Sequence, residues 1–207
     1  MNKTAKNILK YLIEIIIVAF GVFLGVYFSN VNAENKTKAE KEKSLRIIIK
    51  ELENNQLLLE KHINYHENIK IQIDSIALKL SEKDKLSNFT TDNKFNHNNI
   101  KGWNGFQFAR LQKTAFEGTK ISGILKEFDI ELIQKISSVY VLQETYTDFG
   151  TSILNKAIET NSSTKVIDFI GVIELMTSDL LILEKRLNEG LKKTITELKT
   201  PDNIVYK

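Results

Sequence analysis

Two histidines, His62 and His66, stand four residues apart in the segment HINYHE and are the side chains best spaced for chemistry. At i, i+4 spacing two imidazoles share one face of a helix and can share a metal ion. The acid that a metalloprotease carries inside H-E-x-x-H is missing here, and Glu67 falls elsewhere around the helix. A third ligand would have to come from a neighbouring helix, where Glu144, Glu174 and Asp179 are available. The competing reading, and the favoured one, makes Asn55, His62 and His66 the polar members of a helical seam that set register or pairing. A pH-responsive layer is a further use for the same two rings. With no cysteine there is no thiolate nucleophile, disulfide framework or cysteine metal site. No G-x-S-x-G elbow or phosphate loop occurs either. No catalytic residue, metal or cofactor is assigned, and the chain is expected not to be an enzyme.

The histidines sit in a long helical pattern. Neither Gly nor Pro occurs from Tyr27 to Ile100. Leu45, Leu52, Leu59, His66, Ile73 and Leu80 recur at one position of a seven-residue repeat, and Ile48, Asn55, His62, Ile69 and Ile76 at the other. That is a/d spacing. Ile47, Ile49, Leu57, Leu58 and Ile63 widen the stripe beyond a two-stranded seam, which suits an intramolecular bundle. The sole proline is Pro201, and no alternating strand pattern with hairpin turns is present. The fold is expected to be all-α.

Upstream of this helix lies YLIEIIIVAFGVFLGVYF, residues 11–28. Eighteen residues are about the minimum for crossing a hydrocarbon core of roughly 30 Å. Its twelve Ile, Val, Leu and Phe residues favour insertion by about 5 kcal/mol in sum. Glu14 sits one turn inside, where its cost is well below the ~2.5–3.5 kcal/mol of a central acid. It reads as a carboxylate at headgroup depth beside Lys10, or else as a membrane-embedded acid that pairs with a partner helix or carries a proton. Gly21 and Gly25 form a G-x-x-x-G face that lets another helix approach. A cleaved signal peptide is the rival reading, with Lys3, Lys6 and Lys10 before the apolar run and Val31-Asn32-Ala33 after it. The run is longer than the usual 7–15 residues of such peptides, so a retained anchor is expected. Lysines flank both ends, so charge counting alone does not orient the helix. A basic tail resists export and large domains translocate regardless of charge, which places the tail in the cytoplasm and the domain outside.

Downstream, residues 84–104 are rich in Asn, Asp, Ser and Lys and read as a long polar loop. Phe89, Phe95 and Trp103 within it are expected to dock it onto the bundle. A short helix is expected over residues 105–117, and a turn at Ser122-Gly123. Asp129 is a suitable N-cap for a helix over residues 130–159, and Asn161-Ser162-Ser163-Thr164 for a last helix over 165–199, closed by Thr200-Pro201. Within the last helix, Asp168, Glu174 and Asp179 argue for a core helix instead of a second membrane span. The expected map is a basic tail over 1–10, a transmembrane anchor over 11–28, a stalk and first bundle helix over 29–83, the polar loop over 84–104, and the remaining bundle helices over 105–207.

Several of these segments together resemble a family of small, uncharacterised bacterial single-pass membrane proteins, a domain of unknown function. The resemblance lies in Glu14, Gly21 and the exit Asn30-Val31-Asn32-Ala33-Glu34. It extends to TAFEGTKISGILKEFDIELIQKISSVY, with Phe116, Gly118, Ser122, Gly123 and Tyr140 at the positions that carry it. The family often has a tryptophan at the membrane exit, where this chain has Val31. The resemblance implies a membrane-anchored helical domain and no known activity.

Charged residues make up 27% of the 207, a proportion of folded domains, and a net charge of only +3 leaves no nucleic-acid footprint. The expected partners are the lipid bilayer and another membrane protein, a second copy, or both. The expected place is the bacterial inner membrane, with the domain in the periplasm. Protein binding as an accessory subunit or scaffold of an envelope complex is the function these features suggest. A ligand- or stress-sensing domain that signals through a membrane partner is the alternative, and a metal-dependent enzyme using the His pair a remote one.

Overall fold

The computed structural model describes residues 3–91 and 95–200, and among them the architecture is all-α. Helix α1 (Lys3–Ala77) runs unbroken for 75 residues, about 112 Å at 1.5 Å per residue. It joins the apolar run directly to the seam. No proline or turn signal interrupts it, and its only glycines, Gly21 and Gly25, lie in the apolar part. The apolar window has a mean hydropathy of 2.3, and none of its residues is buried against the protein. This is the one helix among the described residues long and apolar enough to cross a membrane. Glu14 lies 3.8 Å from Lys10 one turn earlier.

Beyond residue 44 the same helix becomes the spine of a bundle. Leu45, Ile48, Leu52, Leu59, Ile69 and Ile73 are buried as the seven-residue repeat requires, whereas Ile47 and Leu57 face outward. Helix α6 (Leu181–Leu198) lies antiparallel along α1 and buries Leu187, Leu191, Ile195 and Leu198. Three ion pairs step along the join at heptad spacing: Glu53 with Lys199 at 2.5 Å, Glu60 with Lys192 at 3.3 Å, and Glu67 with Lys185 at 2.6 Å. Exposed pairs contribute little individually, about 0–1 kcal/mol. As a ladder they reject every register in which acid meets acid.

The third long helix, α4 (Ile130–Ile158), packs on α6 and presents Leu132, Ile136, Val139, Tyr140, Tyr146 and Ile153 to the core. Asp129 takes its N-cap position, but its side chain makes no capping bond. Helix α5 (Val166–Glu174) continues through a π-helical turn, Leu175–Leu180, into α6. Its first residues are held by Asp168, whose carboxylate accepts the Lys165 N–H at 3.1 Å, so the cap lies later than Asn161-Ser162-Ser163-Thr164. Those four residues instead form a local turn in which Asn161 Oδ1 accepts the Ser163 N–H. The closing Pro201 lies outside the described residues.

The polar loop docks as expected. After a short helix α2 (Glu82–Lys85), Phe89 stacks on Phe169 of α5 at 4.0 Å, Phe95 is buried, and Trp103 meets Phe106 edge-on at 5.2 Å.

The expected short helix over 105–117 starts nine residues later than the sequence suggests. Residues 104–113 are not helical; they form an extended strap, and α3 (Thr114–Ile121) begins only after it. Gly105, at φ +83°, turns the chain into the strap. Phe108 anchors it on α4 over Gly150, where an added methyl group would sit 2.6 Å from the ring's Cγ. Replacing Gly150 by Ala should therefore lift Phe108 and destabilise the fold by about 1–3 kcal/mol. Chemical unfolding of the full-length protein, with near-UV circular dichroism reporting the aromatic packing, measures this.

Candidate functional site

An extended segment inside a helical bundle has no neighbouring strand, yet every buried N–H and C=O needs a partner. Here side chains from α1 and α4 meet several of them. Asn104 N–H donates to the Tyr65 hydroxyl (3.1 Å), which donates to the Gly105 carbonyl (2.7 Å). His66 Nε2 donates to the Gln107 carbonyl (2.9 Å), and Ala109 N–H to the Tyr146 hydroxyl (2.6 Å). Asn55 clasps Gln112 from both sides: its Nδ2 donates to the carbonyl (2.7 Å) and its Oδ1 accepts the N–H (2.8 Å). Ala115 N–H, opening α3, donates to Glu51 Oε2 (2.7 Å).

The spacing follows from two rises. Asn55 and His66 are eleven residues apart on α1, about 16 Å. Gln112 and Gln107 are five apart on an extended chain, also about 16 Å. The strap thus runs antiparallel to α1, and the polar positions of the heptad face its peptide groups in step.

Proton counting fixes the deepest part of this ladder. His66 and Glu184 are both fully buried, with Nδ1 2.8 Å from Oε2. A carbonyl only accepts, so Nε2 carries a hydrogen for Gln107. The Nδ1–Oε2 bond then needs one more proton, held as imidazolium with carboxylate or as neutral imidazole with carboxylic acid. Glu184 Oε1 accepts the Tyr146 O–H at 3.0 Å. The chain is closed from Ala109 N–H through Tyr146, Glu184 and His66 to the Gln107 carbonyl. A second clamp repeats the chemistry where Tyr140 donates to Glu51 Oε1 at 2.7 Å. Burial, followed by the adjacent carboxylate's bond and charge, raises the Tyr140 phenol well above its ordinary value, and burial with the Glu184 charge does the same for Tyr146.

The two histidines do not form a metal pair. Both His66 nitrogens are engaged, and His62 donates Nδ1–H to the Leu58 carbonyl at 2.9 Å. His62 is half-buried beside a cleft lined by Phe106, Phe108 and Arg110, and is not a member of the buried ladder. No group of three His, Cys, Asp or Glu placed to hold a metal occurs among the described residues. Glu174 and Asp179 are exposed, and Glu144 reaches Lys113 on the surface. Gly21 and Gly25 have nothing of this chain within 4 Å of an added methyl group, so both are open to a neighbour. Glu184, Glu51, Tyr140 and Tyr146 were not singled out from sequence as polar partners. Glu184 was legible by spacing, because Leu180, Glu184, Leu187 and Leu191 step four, three and four residues along one face. No family model, curated protein or solved structure matches the chain.

Two outcomes test the ladder. Glu184→Ala leaves His66 and Tyr146 without a buried partner and should cost about 3–5 kcal/mol. Glu184→Gln can donate to Nδ1 of a neutral ring and accept from Tyr146, so it should stay within about 1 kcal/mol of the parent. Urea unfolding of the full-length protein in detergent separates them. The tyrosines give a pH test. Their phenols are raised in the folded state, so their contribution is intact below about pH 10, where the unfolded phenols titrate, and is lost as pH rises further. Each should lower stability by about 1.4 kcal/mol per pH unit there, and Tyr140→Phe should remove one tyrosine's share of the slope.

Proposed function

We propose that this chain is a single-pass membrane protein that presents a rigid helical bundle for binding another membrane protein, as an accessory subunit or scaffold. The observation that carries the reading is the continuity of α1, which passes from the wholly exposed apolar window into the buried seam without a break. A patch of that size and hydrophobicity is foreign to a water-exposed monomer surface and fits a lipid environment. The buried polar groups support binding over catalysis, since the ladder of Asn55, His66, Glu51 and Glu184 is spent on holding the strap.

In this reading the basic tail stays in the cytoplasm and the bundle stands in the periplasm of a bacterial envelope. The unknown-function family resembled by Glu14, Gly21 and the Asn-rich exit is consistent with that address. Gly21 and Gly25 are the membrane contact, and the bundle and stalk offer the contact outside.

The test is affinity purification of the tagged full-length protein from its native membranes in mild detergent, with mass spectrometry of what accompanies it. A stoichiometric second membrane protein is expected. Gly21→Ile with Gly25→Ile should reduce its recovery about tenfold, because both side chains block close helix approach. Recovery of the chain alone as a monomer would overturn the reading.

A further inference from the structure

Helix α1 carries two heptad series of charge, and only one of them is answered. Glu53, Glu60 and Glu67 face α6, whose Lys199, Lys192 and Lys185 close on them. On the adjoining stripe, about 40–60° around the helix, Lys36, Lys43 and Lys50 repeat at the same seven-residue interval, all exposed and without an ion pair among the described residues. Ile47 lies between Lys43 and Lys50 and is 48% exposed.

This face borders a groove of about 650 Å³ between α1 and α3. Lys43, Ile47 and Lys50 line one wall, and Thr114, Gly118 and Ser122 the other. Those three recur every four residues along α3 and its C-cap, so the second wall is low along its length. Nothing occupies the space beside Gly118, where an added methyl group meets no atom within 4 Å. Two acids also line the groove. Glu51 is buried and closed by the Tyr140 hydroxyl and the Ala115 N–H, and Glu40 stands at its membrane-proximal end.

We infer that this groove and the basic heptad receive an acidic helix of a partner membrane protein, with Asp or Glu at heptad spacing and a small apolar residue over Ile47. The inference rests on the reading of the chain as a membrane-anchored binding protein. The answered series on α1 supplies the template, since the same helix already recruits α6 by opposite charges seven residues apart. Lipid does not fit this place. Lys43 and Lys50 lie about 22 Å and 33 Å along the helix beyond Phe28, past a headgroup layer of about 5–8 Å. A second copy docked stalk to stalk sets its own Lys36, Lys43 and Lys50 against these, which repels.

Zero-length carbodiimide cross-linking of native membranes bearing the tagged full-length protein tests this, with the joined peptides read by mass spectrometry. The reagent links amines to carboxylates already in contact. The expected products join Lys43 or Lys50 to Asp or Glu of a different membrane polypeptide. Lys43→Glu with Lys50→Glu should lower that polypeptide's recovery about tenfold at unchanged far-UV circular dichroism, since both positions are exposed. Gly118→Leu, which fills the groove, should do the same independently. Cross-links only to a second copy, or undiminished partner recovery in both variants, would overturn the acidic-helix inference while leaving the binding reading in place. If the parent chain brings down no partner at all, both fall together.

Discussion

The whole bundle depends on one obligation, that the peptide groups of residues 104–113 find partners where no strand runs beside them. An unpaired buried N–H or C=O costs about 1–3 kcal/mol, and at Ala109, the fully buried residue of the strap, the Tyr146 hydroxyl is the partner that avoids this cost. Asn55, Tyr65, His66 and Tyr146 meet this need directly, and Glu184 holds two of them in place. Removing the polar residues for better hydrophobic packing would leave the strap's backbone stranded. That is why an otherwise apolar seam carries an amide, an imidazole and two carboxylates.

The strap in turn determines how the helices sit. It fills the space between α1 and α4, with Phe108 seated over Gly150 and the start of α3 fastened to Glu51. Helix α3 descends beside α1 and leaves a groove between them. The antiparallel α1–α6 pair is held by apolar heptads and the three-step lysine–glutamate ladder. Because α1 is one helix from the apolar run to the bundle, the bundle's outer surfaces stand at heights set by residue number, about 1.5 Å each. Such a chain is suited to presenting a surface at a set distance from its anchor.

Two neighbouring stripes of α1 use the same device for different ends. Along the join with α6, acids at heptad spacing meet that helix's lysines. Beside the groove against α3, lysines at the same spacing are exposed. The first series is part of what folds this chain, and the second has no ion pair among the described residues. The buried His66 belongs to the fold, since both its nitrogens are engaged within it.

The seven-residue repeat, the lack of Gly and Pro from Tyr27 to Ile100, and the eighteen-residue apolar run were enough by themselves to determine an all-α fold with an N-terminal apolar helix, because helix period and helix breakers are local properties. That Phe89, Phe95 and Trp103 dock was likewise legible, since aromatics in a polar loop have few other uses. Only the tertiary structure decided that residues 104–113 are extended, because their partners lie up to 57 positions away in sequence and no local propensity records them. It also separated two histidines that spacing had paired: His66 turns inward to Glu184 and Gln107, whereas His62, one turn earlier, bonds back to Leu58 and faces a surface cleft. A four-residue step advances about 400° around the helix, and those 40° beyond a full turn decide which ring is enclosed by the strap and which is left at its edge.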